Sequence, residues 1–136
     1  NVPYPDNVIL ASTFEKASEY EDVDVALLIA VASVESSFDP HARSHDGSTG
    51  YMGIKADFWK KYDANDKYQN IFAGAHVLHM YNMELKDIDK AVMAYNIGIT
   101  AFKNKQKLDR GDIYRHKVIR EYVKIVQLLN VPIVQE

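Results

Sequence analysis

The sequence contains no cysteine. This absence excludes a disulfide framework and a thiol nucleophile, and it leaves the redox compartment open. No segment approaches the roughly 18 apolar residues of a membrane-spanning helix, so the sequence predicts a soluble protein without a transmembrane segment. Neither a phosphate-binding loop nor a Ser-His-Asp set is recognisable, so neither of these catalytic designs is indicated.

A large excess of charge of either sign is also missing. Nineteen acidic residues against sixteen basic ones give a net charge of -3, which argues against broad binding to nucleic acid or to an anionic membrane. We expect the lysines of 103–107 to form a solvated loop, with acidic peptides as an alternative partner. A neutral or locally recognised substrate is therefore favoured.

The two-residue alternation of half-buried strands is absent throughout the chain. Apolar residues recur at helical spacing instead, which predicts an all-α fold of about six helices around a buried central helix. The 136 residues suit a single domain, 1–136, without repeats or a linker. Asp6 and Asp87 are candidate helix caps, and 99–111 is expected to be irregular. The predicted helices are 7–20, 25–37, 57–62, 68–85, 88–95 and 112–130.

One carboxyl residue ends the most apolar stretch of the chain. Ten uncharged residues, VALLIAVASV, precede Glu35, and helical spacing continues the buried stripe from Ala32 onto Glu35. Burial and the helix C-terminus both raise the pKa of a carboxyl group, as a general acid requires. A surface Glu in a fraying last turn is the alternative, and helix geometry alone does not separate the two. The polar, Gly-containing stretch 39–53 that follows is expected to form the wall of a cleft.

Four short segments stand in a recognisable order along the chain. They are ESSFDP at 35–40 with GYM at 50–52, NIFAG at 70–74, AYNIG at 94–98 and YV at 122–123. Together they resemble the signature of the soluble-type (SLT), goose-lysozyme-like lytic transglycosylases, which act on peptidoglycan. The resemblance covers roughly residues 8–129.

This resemblance implies a lysozyme-like fold and an enzyme with Glu35 as its only catalytic acid/base. The group would protonate the leaving oxygen of the β-1,4 bond between N-acetylmuramic acid and N-acetylglucosamine. It would then take a proton from the 6-hydroxyl of N-acetylmuramic acid, giving a 1,6-anhydro sugar. No cofactor and no metal are implied. By family match, the residues around the bound sugar are Ser44, Met52, Tyr95, Asn96 and Tyr122. Ordinary local roles stay open for four of these: a loop hydroxyl for Ser44, a helix cap for Asn96, and core aromatics for Tyr95 and Tyr122.

The match to the family has one conspicuous departure. Gly53 stands where many members have Gln, so we expect activity to be kept and subsite preference to change. Tyr51 replaces the usual Leu, and Lys55 follows Ile54. Because no acid stands at Gly53, transglycosylation is favoured over hydrolysis.

Two alternatives to the transglycosylase remain. The first is a muramidase in which Asp46 or Asp57 serves as a second carboxylate, although a turn position before Gly47 and a helix cap before Phe58 explain these residues more simply. The second is a non-catalytic wall-binding or assembly module, suggested by the missing Gln.

The expected surroundings of the protein follow from the same resemblance. We expect peptidoglycan glycan strands as its partner and no nucleic acid. The protein would be a monomer, with a larger secretion or phage assembly as the alternative. Its expected location is extracytoplasmic, in the periplasm or cell wall, or in a phage virion or lysis system.

His76 and His79 could share a helix face, but no companion carboxylate has the spacing of a metal site.

Overall fold

The computed structural model describes residues 6–55 and 61–130. These residues form six helices, and no strand occurs among them apart from two isolated bridges, Arg43 with Thr49 and Thr49 with Ile54. The predicted all-α fold is confirmed. The helices are α1 (Asp6–Glu21), α2 (Val25–Ser36), α3 (Lys67–Leu85), α4 (Ile88–Ile97), α5 (Ile99–Lys103) and α6 (Leu108–Leu129). Within these helices, none has both the length and the apolar character that crossing a membrane requires.

Helix α2 lies at the centre of the core. Leu28 and Val31 are fully buried, and both α1 and α6 pack against this helix. Asp24 caps its start by accepting a hydrogen bond from the N–H of Ala26 at 2.9 Å. The helix ends at Ser36, where the next residue, Ser37, takes a left-handed conformation. The uninterrupted apolar sequence thus forms the buried central helix that it predicts.

The loop after α2 is fastened to the core by Asn70 of α3, which is fully buried. The Oδ1 atom of Asn70 accepts a hydrogen bond from the N–H of Met52 at 2.7 Å. Its Nδ2 atom donates to the carbonyl groups of Thr49 at 2.8 Å and Ala64 at 2.9 Å. Gly50 makes this approach possible, since a Cβ atom there would lie 2.4 Å from Nδ2 of Asn70. One amide group therefore sets the path of the loop.

The prediction that 99–111 is irregular is wrong. Gly98 ends α4 with φ +89°, which changes the direction of the chain and lets α5 begin at once. Helix α6 begins at Leu108, so Gly111 lies inside its first turns. A Cβ atom at Gly111 would lie 3.4 Å from Met93 and Ile97 of α4. We infer that Gly111 serves close helix packing there, although the sequence predicts it at the end of an irregular segment.

Smaller differences concern helix ends. Asp6 lies inside the first turn of α1, one position beyond its expected place as the cap. Asp87 does cap α4, through a hydrogen bond from the N–H of Lys90 at 3.1 Å. Most of the predicted helix 57–62 falls outside the described residues, and so does Asp57. Its last two residues, Lys61 and Tyr62, are not helical.

A buried carboxylate, Glu21, joins α1 to α3 on the far side of the core. Burial alone would raise its pKa, but hydrogen bonds from Tyr62, His76 and Lys61 outweigh burial and lower it. The Nδ1 atom of His76 lies 3.1 Å from Oε1 of Glu21, and the hydroxyl of Tyr62 donates to Oε2 at 2.5 Å. In the part of the chain that the structure describes, no three His, Asp or Glu residues are arranged to hold a metal ion.

We predict that Asn70→Ala destabilises the domain by about 2–4 kcal/mol, because two backbone carbonyls and one N–H would lose their partner inside the core. Urea unfolding at pH 6 measures this loss. Asn82→Ala is the matched control, since Asn82 lies on the exposed side of the same helix. Equal unfolding midpoints for the two variants would show that Asn70 does not hold the loop.

Candidate active site

Glu35 lies in the last turn of α2, where its side chain meets α6. The hydroxyl group of Tyr114 donates a hydrogen bond to Oε2 of Glu35 at 2.6 Å. Tyr114 is itself buried, with 7% of its surface exposed. The carboxyl group is thus held on its inner side by a rigid aromatic residue whose ring belongs to the core.

The environment of Glu35 raises its pKa from the ordinary 4.5 to about 7. Burial is the largest cause, the hydrogen bond from Tyr114 acts in the opposite direction, and the negative charge of Asp46 adds to the rise. At neutral pH both the protonated and the ionised form of this carboxyl are therefore populated. Such a group can donate a proton and then accept one.

Gly53 supports the other side of the carboxyl group. A Cβ atom at this position would lie 2.4 Å from Oε1 of Glu35, and Gly53 has φ +63°. Glu35 therefore occupies the space that any side chain at 53 would need. Gly53 departs from the family pattern, and the sequence alone indicates only the loss of a Gln amide. In the structure, the missing side chain at Gly53 leaves space for the carboxyl group of Glu35.

Two hydrogen bonds fix the backbone next to Gly53. The hydroxyl of Ser36 donates to the carbonyl of Tyr51 at 2.8 Å, and the hydroxyl of Tyr95 donates to the carbonyl of Met52 at 2.5 Å. Tyr95 belongs to α4, so three helices and the loop meet around Glu35. The electrostatic influence of Glu35 also reaches Tyr95, whose pKa burial raises well above its ordinary value.

A small pocket of about 70 Å³ opens beside the carboxyl group. Its volume suits part of a sugar ring and not a whole saccharide, which would have to lie across its mouth. The pocket is lined by Glu35, Ala42, Arg43, Ser44, Ser48, Gly50 and Gly53.

The residues that the sequence placed around a sugar occupy different positions. Ser44 lines the pocket, and Tyr95 lies beneath it as a support of the loop. The side chain of Met52 is fully buried against Gly74, so it is a core residue and not part of the cleft surface. Asn96 does not line the pocket, and its Oδ1 is buried without a hydrogen-bond partner in the described part of the chain.

Tyr122 is separated from Glu35 by the length of α2. Its hydroxyl donates to Oδ2 of Asp24 at 2.6 Å, and Asp24 precedes the first turn of that helix, whereas Glu35 lies in the last. The rise of about 1.5 Å per residue puts roughly 16 Å between the two ends. In this structure Tyr122 fastens α6 to the start of α2 and does not reach the pocket.

Tyr114 is a site residue that the sequence motifs do not indicate, because its spacing predicts only that it lies on the apolar face of the last helix. A signal was available, since a tyrosine on a buried stripe needs a partner for its hydroxyl group. Glu35 was the one carboxyl expected on the core side.

Comparison with known proteins identifies the family of the chain. The sequence model of the family described as Transglycosylase SLT domain matches residues 12–117. The chain belongs to this family. Relatives named membrane-bound lytic murein transglycosylase F include one from Desulfosudis oleivorans, 28% identical over 126 aligned residues that cover 83% of this chain and 28% of the relative. Another, from Haemophilus influenzae strain PittEE, is 39% identical over 100 residues, 66% of this chain and 21% of the relative.

A solved structure shares the fold of the SLT domain described here. It is an inactive mutant of the lytic transglycosylase Slt from Pseudomonas aeruginosa, with a TM-score of 0.78 and 21% sequence identity. The match covers 90% of this chain and 24% of that one. The chain therefore spans about a quarter of the length of these relatives.

We predict that Glu35→Gln stabilises the domain at pH 8 relative to wild type, and much less at pH 5. Because folding raises the pKa of Glu35 to about 7, its contribution to stability is complete below pH 4.5 and is lost as pH rises through 7. Glutamine does not titrate over this range, so the stability that the variant gains at pH 8 should be on the order of 3 kcal/mol. Urea unfolding across pH 5–8 measures it, with Glu15→Gln on the exposed side of α1 as control. A gain that is constant with pH contradicts the raised pKa.

We also predict that Gly53→Ala displaces the carboxyl group of Glu35, whereas Gly47→Ala does not. Both glycines have positive φ, but a Cβ atom at Gly47 would meet nothing within 4 Å. Gly47→Ala therefore introduces the backbone strain of a positive φ without a contact to another side chain, which makes it the control. Carbon-13 NMR titration of Glu35 measures the outcome. The titration midpoint of Glu35 should shift away from about 7 only in Gly53→Ala. An unchanged midpoint in both variants would refute the contact between position 53 and the carboxyl group.

Proposed function

We propose that this SLT domain cleaves peptidoglycan glycan strands by lytic transglycosylation, with Glu35 as its single acid/base. The bond cleaved is the β-1,4 bond between N-acetylmuramic acid and N-acetylglucosamine. The observation that carries the proposal is a carboxyl group with a pKa of about 7 at the wall of a cleft, in a chain of the SLT family. The names of its relatives, lytic murein transglycosylases, support the same substrate.

The reaction needs one group that gives a proton and takes one back. Protonated Glu35 delivers its proton to the glycosidic oxygen as the bond to the anomeric carbon breaks. The resulting carboxylate removes the proton of the 6-hydroxyl group while that oxygen bonds to the anomeric carbon. The products are a 1,6-anhydro sugar and a free 4-hydroxyl group, and Glu35 ends protonated. No water is consumed.

Tyr114 and Gly53 make this double use possible. The hydrogen bond from Tyr114 stabilises the carboxylate that exists between the two proton transfers. The backbone of Gly53 leaves the carboxyl group room on its other side. Ser44 is the predicted sugar contact that stands on the pocket wall. Tyr95 acts through the loop that it supports, and contact of Asn96 with the sugar remains a prediction.

A hydrolytic reaction is the second candidate, because the negative charge of Asp46 acts on Glu35. The contacts of Asp46 favour transglycosylation instead. Its Oδ1 accepts hydrogen bonds from Ser44 and Ser48, and Lys55 lies 3.4 Å from its Oδ2. These bonds hold the pKa of Asp46 well below its usual range, which makes it a weak base for activating water.

The setting of the reaction is part of the proposal. An extracytoplasmic location is supported by relatives whose names combine membrane binding with murein. We propose that the domain acts on the glycan strand as a single copy, since Glu35, Tyr114 and Gly53 all come from one chain.

The decisive experiment is mass spectrometry of the products released from purified peptidoglycan sacculi. Transglycosylation predicts 1,6-anhydromuropeptides, each one water lighter than the reducing-end product of hydrolysis. Glu35→Gln should reduce their release by roughly two to four orders of magnitude, while Glu15→Gln should leave it unchanged. Reducing-end products would support a muramidase, and binding to sacculi without release would support a non-catalytic module. Full release by Glu35→Gln would refute the proposal.

A further inference from the structure

Asp46 forms the centre of a hydrogen-bonded group on the rim of the pocket. Its Oδ1 atom accepts a hydrogen bond from the hydroxyl of Ser44 and another from the N–H of Ser48 at 3.1 Å. Its Oδ2 atom lies 3.4 Å from Nζ of Lys55. We call Ser44, Asp46, Ser48 and Lys55 the rim cluster. Two of its members, Ser44 and Ser48, line the pocket together with Glu35.

The bond between Ser44 and Asp46 determines what Ser44 can do in the cleft. A serine hydroxyl carries one hydrogen and two acceptor lone pairs. Because an ionised carboxylate only accepts, the hydrogen of Ser44 is committed to Asp46. The oxygen of Ser44 can then only accept a hydrogen bond from a group in the pocket. The substrate group that it fits is a donor, either a hydroxyl or an amide N–H of a sugar.

The charge of Asp46 also acts on Glu35. Three other groups bear on Glu35 or its pocket: Tyr114 from α6, Tyr95 from α4, and Arg43 from the loop. The effect of Asp46 differs in kind from that of Tyr114. The hydrogen bond from Tyr114 favours the ionised form of Glu35, whereas the negative charge of Asp46 favours the protonated form. Asp46 therefore acts in the same direction as burial.

We propose that Asp46 is a positioning residue of this site, which holds the Ser44 hydroxyl as an acceptor toward the substrate and places a negative charge behind the pocket wall that Ser44 and Ser48 form beside Glu35. The proposal rests on the proposed function for its substrate, but not for its effect on Glu35. It assigns Asp46 a role other than that of a second catalytic carboxylate. Asp46 would then contribute to substrate binding as well as to the turn before Gly47.

Four variants separate the two effects of Asp46. Asp46→Asn keeps an acceptor for Ser44 and Ser48 but removes the charge, and Asp46→Ala removes both. Ser44→Ala removes the positioned hydroxyl and keeps the charge, and the double variant Ser44→Ala with Asp46→Ala completes a cycle. Asp63→Asn is the control, because Asp63 also accepts from an N–H two residues on, that of Asn65 at 3.0 Å, and does not line the pocket.

Steady-state kinetics on a GlcNAc-MurNAc tetrasaccharide test the positioning effect. We expect KM to rise roughly three- to tenfold in Asp46→Ala and in Ser44→Ala, and to stay within about twofold in Asp46→Asn. The double variant should be no worse than Ser44→Ala, because both changes remove one interaction. If Asp46→Ala raises KM equally in the presence and in the absence of Ser44, positioning through Ser44 is refuted.

The pH profile and carbon-13 NMR titration of Glu35 test the charge effect. In Asp46→Asn and Asp46→Ala, the alkaline limb of kcat/KM and the NMR midpoint of Glu35 should both move to lower pH. Ser44→Ala and Asp63→Asn should move neither. An unmoved midpoint in Asp46→Asn overturns the charge effect.

The NMR titration does not depend on turnover, so it separates this inference from the proposed function. If wild type binds the tetrasaccharide without cleaving it, the proposed function fails, and calorimetric Kd values replace KM in the cycle. If wild type does not bind the tetrasaccharide at all, positioning of Ser44 toward a sugar is overturned together with the proposed function. In both cases the midpoint in Asp46→Asn still decides the charge effect.

Discussion

The geometry of the site depends on one buried amide group. A loop without regular structure leaves its backbone polar groups unpaired, and burying them unpaired would be costly. Asn70 satisfies Met52 and Thr49 at once, and Ser36 and Tyr95 bind the carbonyl groups of the two residues before Gly53. This binding lets an irregular segment pass directly against Glu35. Asn70 thus acts together with Ser36 and Tyr95 in holding Gly53 at its distance from the carboxyl group.

Glu35 combines two requirements that oppose each other in most proteins. A carboxyl group in an apolar setting resists ionisation, and this resistance keeps it protonated, as a proton donor must be. The proposed reaction also requires the ionised form of the same group. The structure meets both needs through Tyr114, which supplies one short hydrogen bond to the ionised group, and through burial, which keeps the pKa near 7. Only a few neighbouring groups set the pKa of Glu35, so small changes in the loop should alter this pKa.

The sequence predicted those parts of the structure that depend on neighbours along the chain. The apolar run of α2, its abrupt end and the cap at Asp87 follow from local spacing. Local spacing also allows the core-side position of Glu35, although helix geometry alone does not separate it from a surface position. The contacts that complete the site join distant segments, and no local pattern reports them. Tyr114 was missed for this reason, Met52 and Tyr122 were assigned to the cleft by motif alone, and Gly53 was understood as a loss. Gly111 shows the same limit, because its packing against α4 outweighs its low helix propensity.

The hydrogen bond between Tyr114 and Glu35 joins residues 79 positions apart, and this separation has a consequence for synthesis. Helices α1 to α4 precede α6 in the chain, so Glu35 stays without its phenolic partner until α6 has been made. Closing so long a segment is entropically slow compared with forming the helices themselves. The surroundings of Glu35 are thus completed by the last helix described, so a nascent chain without α6 would lack the hydrogen bond to this carboxyl group.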